Sequence, residues 1–364
     1  MKLVELTNYL ESLAPLSSQE SYDNSGLIVG DPQMELTGAL VSLDCIESIV
    51  DEAIEKKCNL VIAHHPILFK GLKRLNGSDY VQRTILKAIK NDIALYAIHT
   101  NLDNFRFGVN AEIGKRIGLE NIQVLAPKKD VLTKLVVFVP DEYVENVMSA
   151  LFEAGAGSIG NYGECSFSTS GTGTFLPMEG SDPFIGQKGE RENSLETKIE
   201  VLVSKHRLNA VVRAMKEVHP YEEVAYEAYP ILNENNFEGA GMIGMLSEPM
   251  ATKDFLKHLK STFNCGIIRH TELVGDTVQR VAYCGGAGSF LLKNAISQEA
   301  DIFITGDYKY HEFFDADKQI IIADIGHYES EQYTSNLLEG ILMEKFPKFA
   351  VHLTGVNTNP INYF

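Results

Sequence analysis

The amino-acid sequence predicts an α/β fold: two similar three-layer α/β half-domains forming one core, with an inserted ferredoxin-like α+β domain. Three observations predict it. Short, wholly apolar runs alternate with helix-period segments at both ends of the chain, the pattern of a largely parallel sheet covered on both faces. The middle of the chain switches to β-α-β-β-α-β order, the split-βαβ pattern. The two flanks then repeat each other in element order. The expected boundaries are 1–126 plus 238–364 for the α/β domain and 127–237 for the insert.

In chain order, Leu3, Leu6, Leu10 and Leu13 mark an amphipathic first helix. Glu5 and Glu11 interrupt it, so it does not read as a signal peptide. A polar loop leads to a short strand between Gly26 and Gly30. Strand 39–43, helix 46–57 and strand 60–63 follow, the last running into His64-His65-Pro66. A helix over 80–90, a strand over 93–98 and a helix over 108–117 complete the first flank. In the insert, strands are expected at 132–139, through 165–177, at 197–203 and at 224–230, with helices over 142–154 and 208–218. The second flank brings a helix over 252–263 and a strand over 281–284 that enters Gly285-Gly286-Ala287-Gly288. Strand 302–305 ends at Gly306-Asp307, strand 320–323 precedes His327, and one long helix is expected over 328–344, with a last strand at 350–353. Strands 39–43, 60–63 and 93–98 thus match strands 281–284, 302–305 and 320–323.

Composition narrows the function classes. The chain has 364 residues, more than one ordinary core needs, and a formal charge of -17. That charge disfavours nucleic acid as a partner, because such binding depends on Lys and Arg neutralising phosphates. No apolar run approaches the ~20 residues of a membrane helix. Five scattered cysteines without a Cys-x-x-Cys pair read as reduced thiols in a cytoplasmic protein.

Three strands end in metal-type ligands: Leu60–Ala63 at His64-His65, Ile93–Ile98 shortly before Asp103, and Ile320–Ala323 shortly before His327. In open α/β sheets the carboxyl edge of the strands is where ligands bind. His327 and Glu331 stand at i and i+4, on one helix face. Singly, each has a plainer reading: a hydrogen-bonded strand end, a surface helix pair, a turn aspartate. Together, His64, His65, Asp103, His327 and Glu331 suit a dinuclear site of divalent ions. Zn is the first choice, with Fe, Mn or Co the others. Three imidazoles and two carboxylates for two ions leave positions for water, as catalytic sites do.

His99 is expected either to orient a ligand from behind or to pack in the core. His311, in Gly306-Asp307-Tyr308-Lys309-Tyr310-His311, is a candidate proton donor or substrate contact, or a structural residue. Asp23-Asn24-Ser25 either lines the site or closes an Asx-type turn. The stretch Gly285 to Ser289 could cradle a phosphate or make a tight turn. His219-Pro220-Tyr221-Glu222-Glu223 reads as a turn or a further metal site.

These motifs resemble the Nif-three-like dinuclear-metal family, often labelled GTP cyclohydrolase 1 type 2 homologue. The resemblance spans the chain, from Asp23-Asn24-Ser25-Gly26-Leu27 and Ala63-His64-His65-Pro66 to Gly326-His327-Tyr328-Glu329-Ser330-Glu331. It implies that the five residues above bind two divalent metals, with the carboxylates bridging. It also implies a toroidal homohexamer, a trimer of dimers, with the insert a PII-like domain at the ends of the ring. Met242 stands where many relatives carry Arg. Two functions follow as expectations. One is a metal-dependent hydrolase, GTP cyclohydrolase-like by the family label, acting on a small nucleotide- or phosphate-like molecule. The other is a non-catalytic assembly sensing a metal or metabolite through the insert.

Overall fold

The computed structural model describes residues 1–364, which divide into two compact units, Met1–Pro127 with Phe237–Phe364, and Lys128–Asn236. The first unit is built on two sheets. One runs Gly26–Val29, Ala94–Ala97, Leu60–Ala63, Ala39–Ser42, Val351–Leu353. The other runs Arg269–His270, Ile321–Asp324, Ile302–Gly306, Thr277–Ala287, Asn235–Ala251, Glu120–Lys128.

Both sheets are mixed, the first largely parallel as the alternation of elements predicted. In the first, only Gly26–Val29 runs antiparallel to its neighbour; Leu60 pairs in parallel with Ala39 on one side and with Ala94 on the other. In the second, Ile302–Gly306 lies parallel to both neighbours, while Arg269–His270 and Asn235–Ala251 pair antiparallel. The central parallel strands, Ala39–Ser42, Leu60–Ala63, Ala94–Ala97, Ile302–Gly306 and Ile321–Asp324, are wholly buried, so their sequences are largely continuous apolar runs. One core joins the inner faces of the two sheets: Leu60, Ile62 and Tyr96 from the first meet Val281, Ile302 and Ile321 from the second.

Local rules place the helices. Asp79 caps helix Tyr80–Lys90 by accepting the Gln82 N–H, and Lys87 and Lys90 sit in its last turn. Gly118, at φ 86°, closes helix Val109–Ile117 in the left-handed conformation that favours glycine. The long helix expected over 328–344 is two helices, His327–Glu331 and Thr334–Lys345. None of the helices is long and apolar enough to cross a membrane.

The second unit follows the order strand 132–140, helix 144–153, strand 166–175, strand 192–204, helix 208–218, strand 226–230. Its sheet is antiparallel, in the order Ser166–Phe175, Glu192–Ser204, Leu132–Pro140, Tyr226–Pro230. Its core is its own: Leu135, Val137, Ile199 and Val201 of the sheet pack on Val147, Leu151, Val211 and Met215 of the helices.

Candidate metal centre

At the carboxyl end of Leu60–Ala63 the parallel ladder continues through the histidines, His64 N–H to the Ser42 carbonyl and His65 N–H to Leu43. The two rings lie side by side, their centroids 4.9 Å apart. His64 is fully buried, and His65 is partly open. Its neighbouring strand supplies Ile98 and then a short helix, Thr100–Asp103, carrying the aspartate. From the other sheet, Ile321–Asp324 leads through Gly326 into helix His327–Glu331. The buried Asp324 holds that turn: it accepts from the Gly326 and Tyr308 N–H groups and pairs with Arg269.

Each imidazole has its Nδ1 tied down. His64 Nδ1 donates to the Ile98 carbonyl, His65 Nδ1 to Asp44 and His327 Nδ1 to Asp307, each at 2.8 Å. These partners are acceptors only, so Nδ1 carries a hydrogen and Nε2 faces the centre, able to hold a proton or to offer its lone pair to a cation. The Nε2 atoms converge on Glu331. Its Oε2 lies 3.0 Å from Nε2 of both His65 and His327, which are 3.3 Å from each other. Its Oε1 lies 3.9 Å from His64 Nε2, which is 3.5 Å from Asp103 Oδ1. Two donor groups, His64–Asp103–Glu331 and His65–His327–Glu331, share one carboxylate, and a third, His64–His65–His99, lies beside them.

This cluster calls for positive charge. His64 Nε2 and Asp103 Oδ1 are buried without a hydrogen-bond partner, a costly state unless a cation lies between them. Burial opposes charge on His65, but its bonds to Asp44 and Glu331 win and raise its pKa to about 9. Burial is likewise outweighed at His327, mainly by the Glu331 charge, and its pKa rises to about 11. At His64 burial dominates and lowers the pKa to about 4. Burial and the Glu331 charge push Asp103 well up; at Glu331 burial is overcome by His327, which holds that carboxyl well below its usual range. A proton can meet part of this demand. Divalent cations meet all of it with the imidazole and carboxylate donors that Zn, Fe, Mn or Co accept.

Glycine makes the room. A Cβ on Gly286, at φ 59°, would come within 2.4 Å of Glu331 Oε1 and 3.2 Å of the His327 ring. The N–H groups of this stretch are already engaged: Gly285 donates to Asn110, Gly286 to Ser330 and Gly288 to Thr305. The turn reading of Gly285 to Ser289 therefore stands over the phosphate cradle.

His99 lies beside the cluster, its ring 5.2 Å from His64 and 5.4 Å from His65. Its Nδ1 donates to Asp23, which also accepts from the Thr100 N–H and hydroxyl. Burial would raise the Asp23 pKa, but these bonds dominate and hold it well below the carboxylate range. His311 is not brought in. It is exposed on the turn Tyr310–Ala316 against Tyr310, away from the residues that line the cavity. His219 is a turn residue: its Nε2 donates to the Phe138 carbonyl and its Nδ1 accepts from the Tyr221 N–H. Asp44 and Asp307, which set the ring orientations, were not singled out as functional in the sequence. Each follows the end of a strand, Ala39–Ser42 and Ile302–Gly306, and that position was the available signal.

The centre opens into a cavity of about 560 Å³. Tyr22, Phe69, Phe290 and Ile361 form apolar walls, and Glu20, Asp44 and Asp307 add acidic groups. No Lys or Arg lines it.

Comparison with known proteins agrees over the full length. The family model for Duf34/NIF3 (NGG1p interacting factor 3) matches residues 1–360. A protein of Halalkalibacterium halodurans named GTP cyclohydrolase 1 type 2 homolog is 40% identical over 358 residues, 97% of this chain and 96% of that one. One of the same name from Bacillus subtilis is 38% identical over 369 residues, covering 99% and 98%. The crystal structure of a Bacillus cereus protein related to NIF3 superposes with a TM-score of 0.87 at 36% identity, covering 100% and 99% of the two chains. That of Staphylococcus aureus protein SA1388 gives 0.78 at 32%, covering 100% and 99%. The chain belongs to the Duf34/NIF3 family.

Proposed function

We propose that this protein is a metal-dependent hydrolase of a small molecule that enters the 560 Å³ cavity. The observation that carries the reading is the convergence of three Nε2 atoms and two carboxylates with two buried donor atoms left unpartnered. In this reading His64, Asp103 and Glu331 would hold one divalent ion, and His65, His327 and Glu331 a second. Three protein donors to each leave coordination positions for water and substrate. Bound there, such ions supply Lewis acidity toward water and the bond under attack.

The chain's own residues do the rest. Asp44, Asp307 and the Ile98 carbonyl hold the three imidazoles in the donor tautomer. Asp23 does the same for His99, whose Nε2 is left to take or return a proton beside the reacting group. The exposed His311 has no such access, so the proton role falls to His99. The family label suggests a nucleotide- or phosphate-like substrate. With aromatic walls and no Lys or Arg, the cavity would grip such a molecule by its heteroaromatic ring, and a phosphate chain would have the metal ions as its only strong partners.

This reading extends to the whole assembly: the second unit is taken as a PII-like inserted domain, and the chain as a homohexamer. The test starts with elemental analysis of protein purified without added metal, where about two ions per chain are expected. His65→Ala and Glu331→Ala should lose both metal and hydrolysis while keeping the native mass. Asp23→Asn should keep its metal and slow turnover about a hundredfold, the usual reach of proton transfer. Near-zero metal after gentle purification, or no metal-dependent turnover across purine, pyrimidine and pterin compounds, would sink the reading.

A further inference from the structure

A second cavity, of about 740 Å³, lies wholly within the second unit and has no part in the metal chemistry. One wall is aromatic. Tyr221 stands in a ring cluster with Phe175 at 6.1 Å and Phe184 at 6.2 Å, and Phe138 lines the same space. Into this wall the fold turns a carboxylate, Glu196 of strand Glu192–Ser204, only 8% exposed.

The carboxylate is built in. Its Oε1 accepts from the Tyr221 hydroxyl at 2.8 Å, and that hydroxyl is itself 3.2 Å from Ser194 Oγ. Its Oε2 lies over Gly173 of the neighbouring strand, where a Cβ would come within 2.3 Å. The φ of Gly173 is not in the left-handed region, so the glycine serves space and not backbone shape. A carboxylate set in an apolar wall is a ready partner for positive charge carried by a ligand. Lys198, the one basic residue lining the cavity, has its Nζ 2.5 Å from Glu200. Glu222 and Glu223 make the rim more acidic still.

We propose that this cavity binds a small organic cation, an ammonium or amidinium carried on a flat apolar or aromatic body. The charged head meets Glu196 within reach of ring faces, whose quadrupoles attract positive charge. The body fills the apolar remainder, and the volume falls in the ~300–1,000 Å³ range of small-molecule sites. A bare divalent ion is the wrong occupant, since hard cations want roughly six oxygen ligands and this wall offers aromatic carbon.

The test is calorimetric titration of the full-length protein with benzamidinium and benzylammonium, against benzyl alcohol and benzoate as neutral and anionic counterparts. The cations should bind saturably, and the other two about tenfold or more weaker. Glu196→Gln keeps an acceptor for Tyr221 and should weaken benzamidinium about tenfold or more; Gly173→Ala, which displaces the carboxylate, should do the same. Phe184→Ala, away from the carboxylate, should also weaken it and serves if either of those variants fails to fold. Glu331→Gln should leave the affinity unchanged. Equal binding of benzoate or benzyl alcohol, no saturable binding, or unchanged affinity in the folded variants would overturn the proposal. So would loss of binding in Glu331→Gln alone, which would place the cation in the metal cavity and leave the hydrolase reading standing.

Discussion

Each histidine of the centre is set by an acceptor behind it, and these acceptors differ in kind. The Ile98 carbonyl behind His64 is fixed by the sheet. Asp44 behind His65 is fixed by Thr358, whose hydroxyl donates to its second oxygen at 2.5 Å. Asp307 behind His327 is 54% exposed and rests on backbone at φ 54°, a conformation in which aspartate is tolerated more readily than most residues. Its bond to His327 is the largest cause of its lowered pKa, so the pair is a charge-assisted one. Removing it frees the imidazole to rotate and to change tautomer without touching a ligand. Asp307→Ala is therefore expected to weaken metal binding about 10- to 100-fold, the usual effect of losing such a partner. Competition with a chelator of known affinity measures it. Unchanged affinity would mean that the helix alone orients His327.

At the scale of elements, the sequence was most legible where burial is complete. Leu60–Ala63, Ala94–Ala97 and Ile321–Asp324 read as strands because every side chain in them is buried, and their abrupt ends marked His64-His65, Asp103 and His327. Glu120–Lys128 and Asn235–Ala251 were missed. The first has an exposed start and the second carries Gly239, Gly241 and Gly244, so neither shows a period; pairing across the sheet makes them strands. The break between helices 327–331 and 334–345 was also hidden, since apolar spacing continues through it. The dyad of Asp23 and His99 could not be read because it spans 76 positions and depends on how a loop meets a strand end.

The turn at His219 was read as a turn, and its hydrogen bonds make it pH-sensitive. Burial, partly offset by the Phe138 carbonyl, lowers the His219 pKa. The folded unit thus binds this proton more weakly than the unfolded chain. Stability from the neutral ring is complete above the unfolded value, ~6.5, and is lost as pH falls toward the lower folded value. Protonation would also set a second N–H against the Tyr221 amide that now donates to Nδ1. Thermal unfolding of the wild type should lose more stability between ~pH 7 and ~pH 5 than His219→Gln does. Parallel curves for the two proteins would refute the assignment.

For the whole molecule, the open question is what meets the edge strand Ser166–Phe175. Eight of its ten residues are exposed, and none of the ten is charged. Soluble proteins usually blunt a long edge with Lys, Pro or a bulge, because its unpaired N–H and C=O groups recruit another chain. This strand stays regularly paired to Glu192–Ser204 from Ser166 to Phe175 and presents Phe167 at 68% exposure. Such an edge is stable in water when another copy covers it. It therefore supports the homohexameric reading, in which the second units of three chains meet. Light scattering should give a mass about six times the 40.4 kDa chain, as a closed trimer of dimers requires. Phe167→Lys places a charge on that edge without entering the second cavity, whose lining begins at Thr169. It should lower the mass to about two chains while leaving metal content unchanged, because both donor groups lie within the first unit. A monomeric wild type would refute the assembly. A hexamer indifferent to Phe167→Lys would keep the assembly and move its contacts elsewhere.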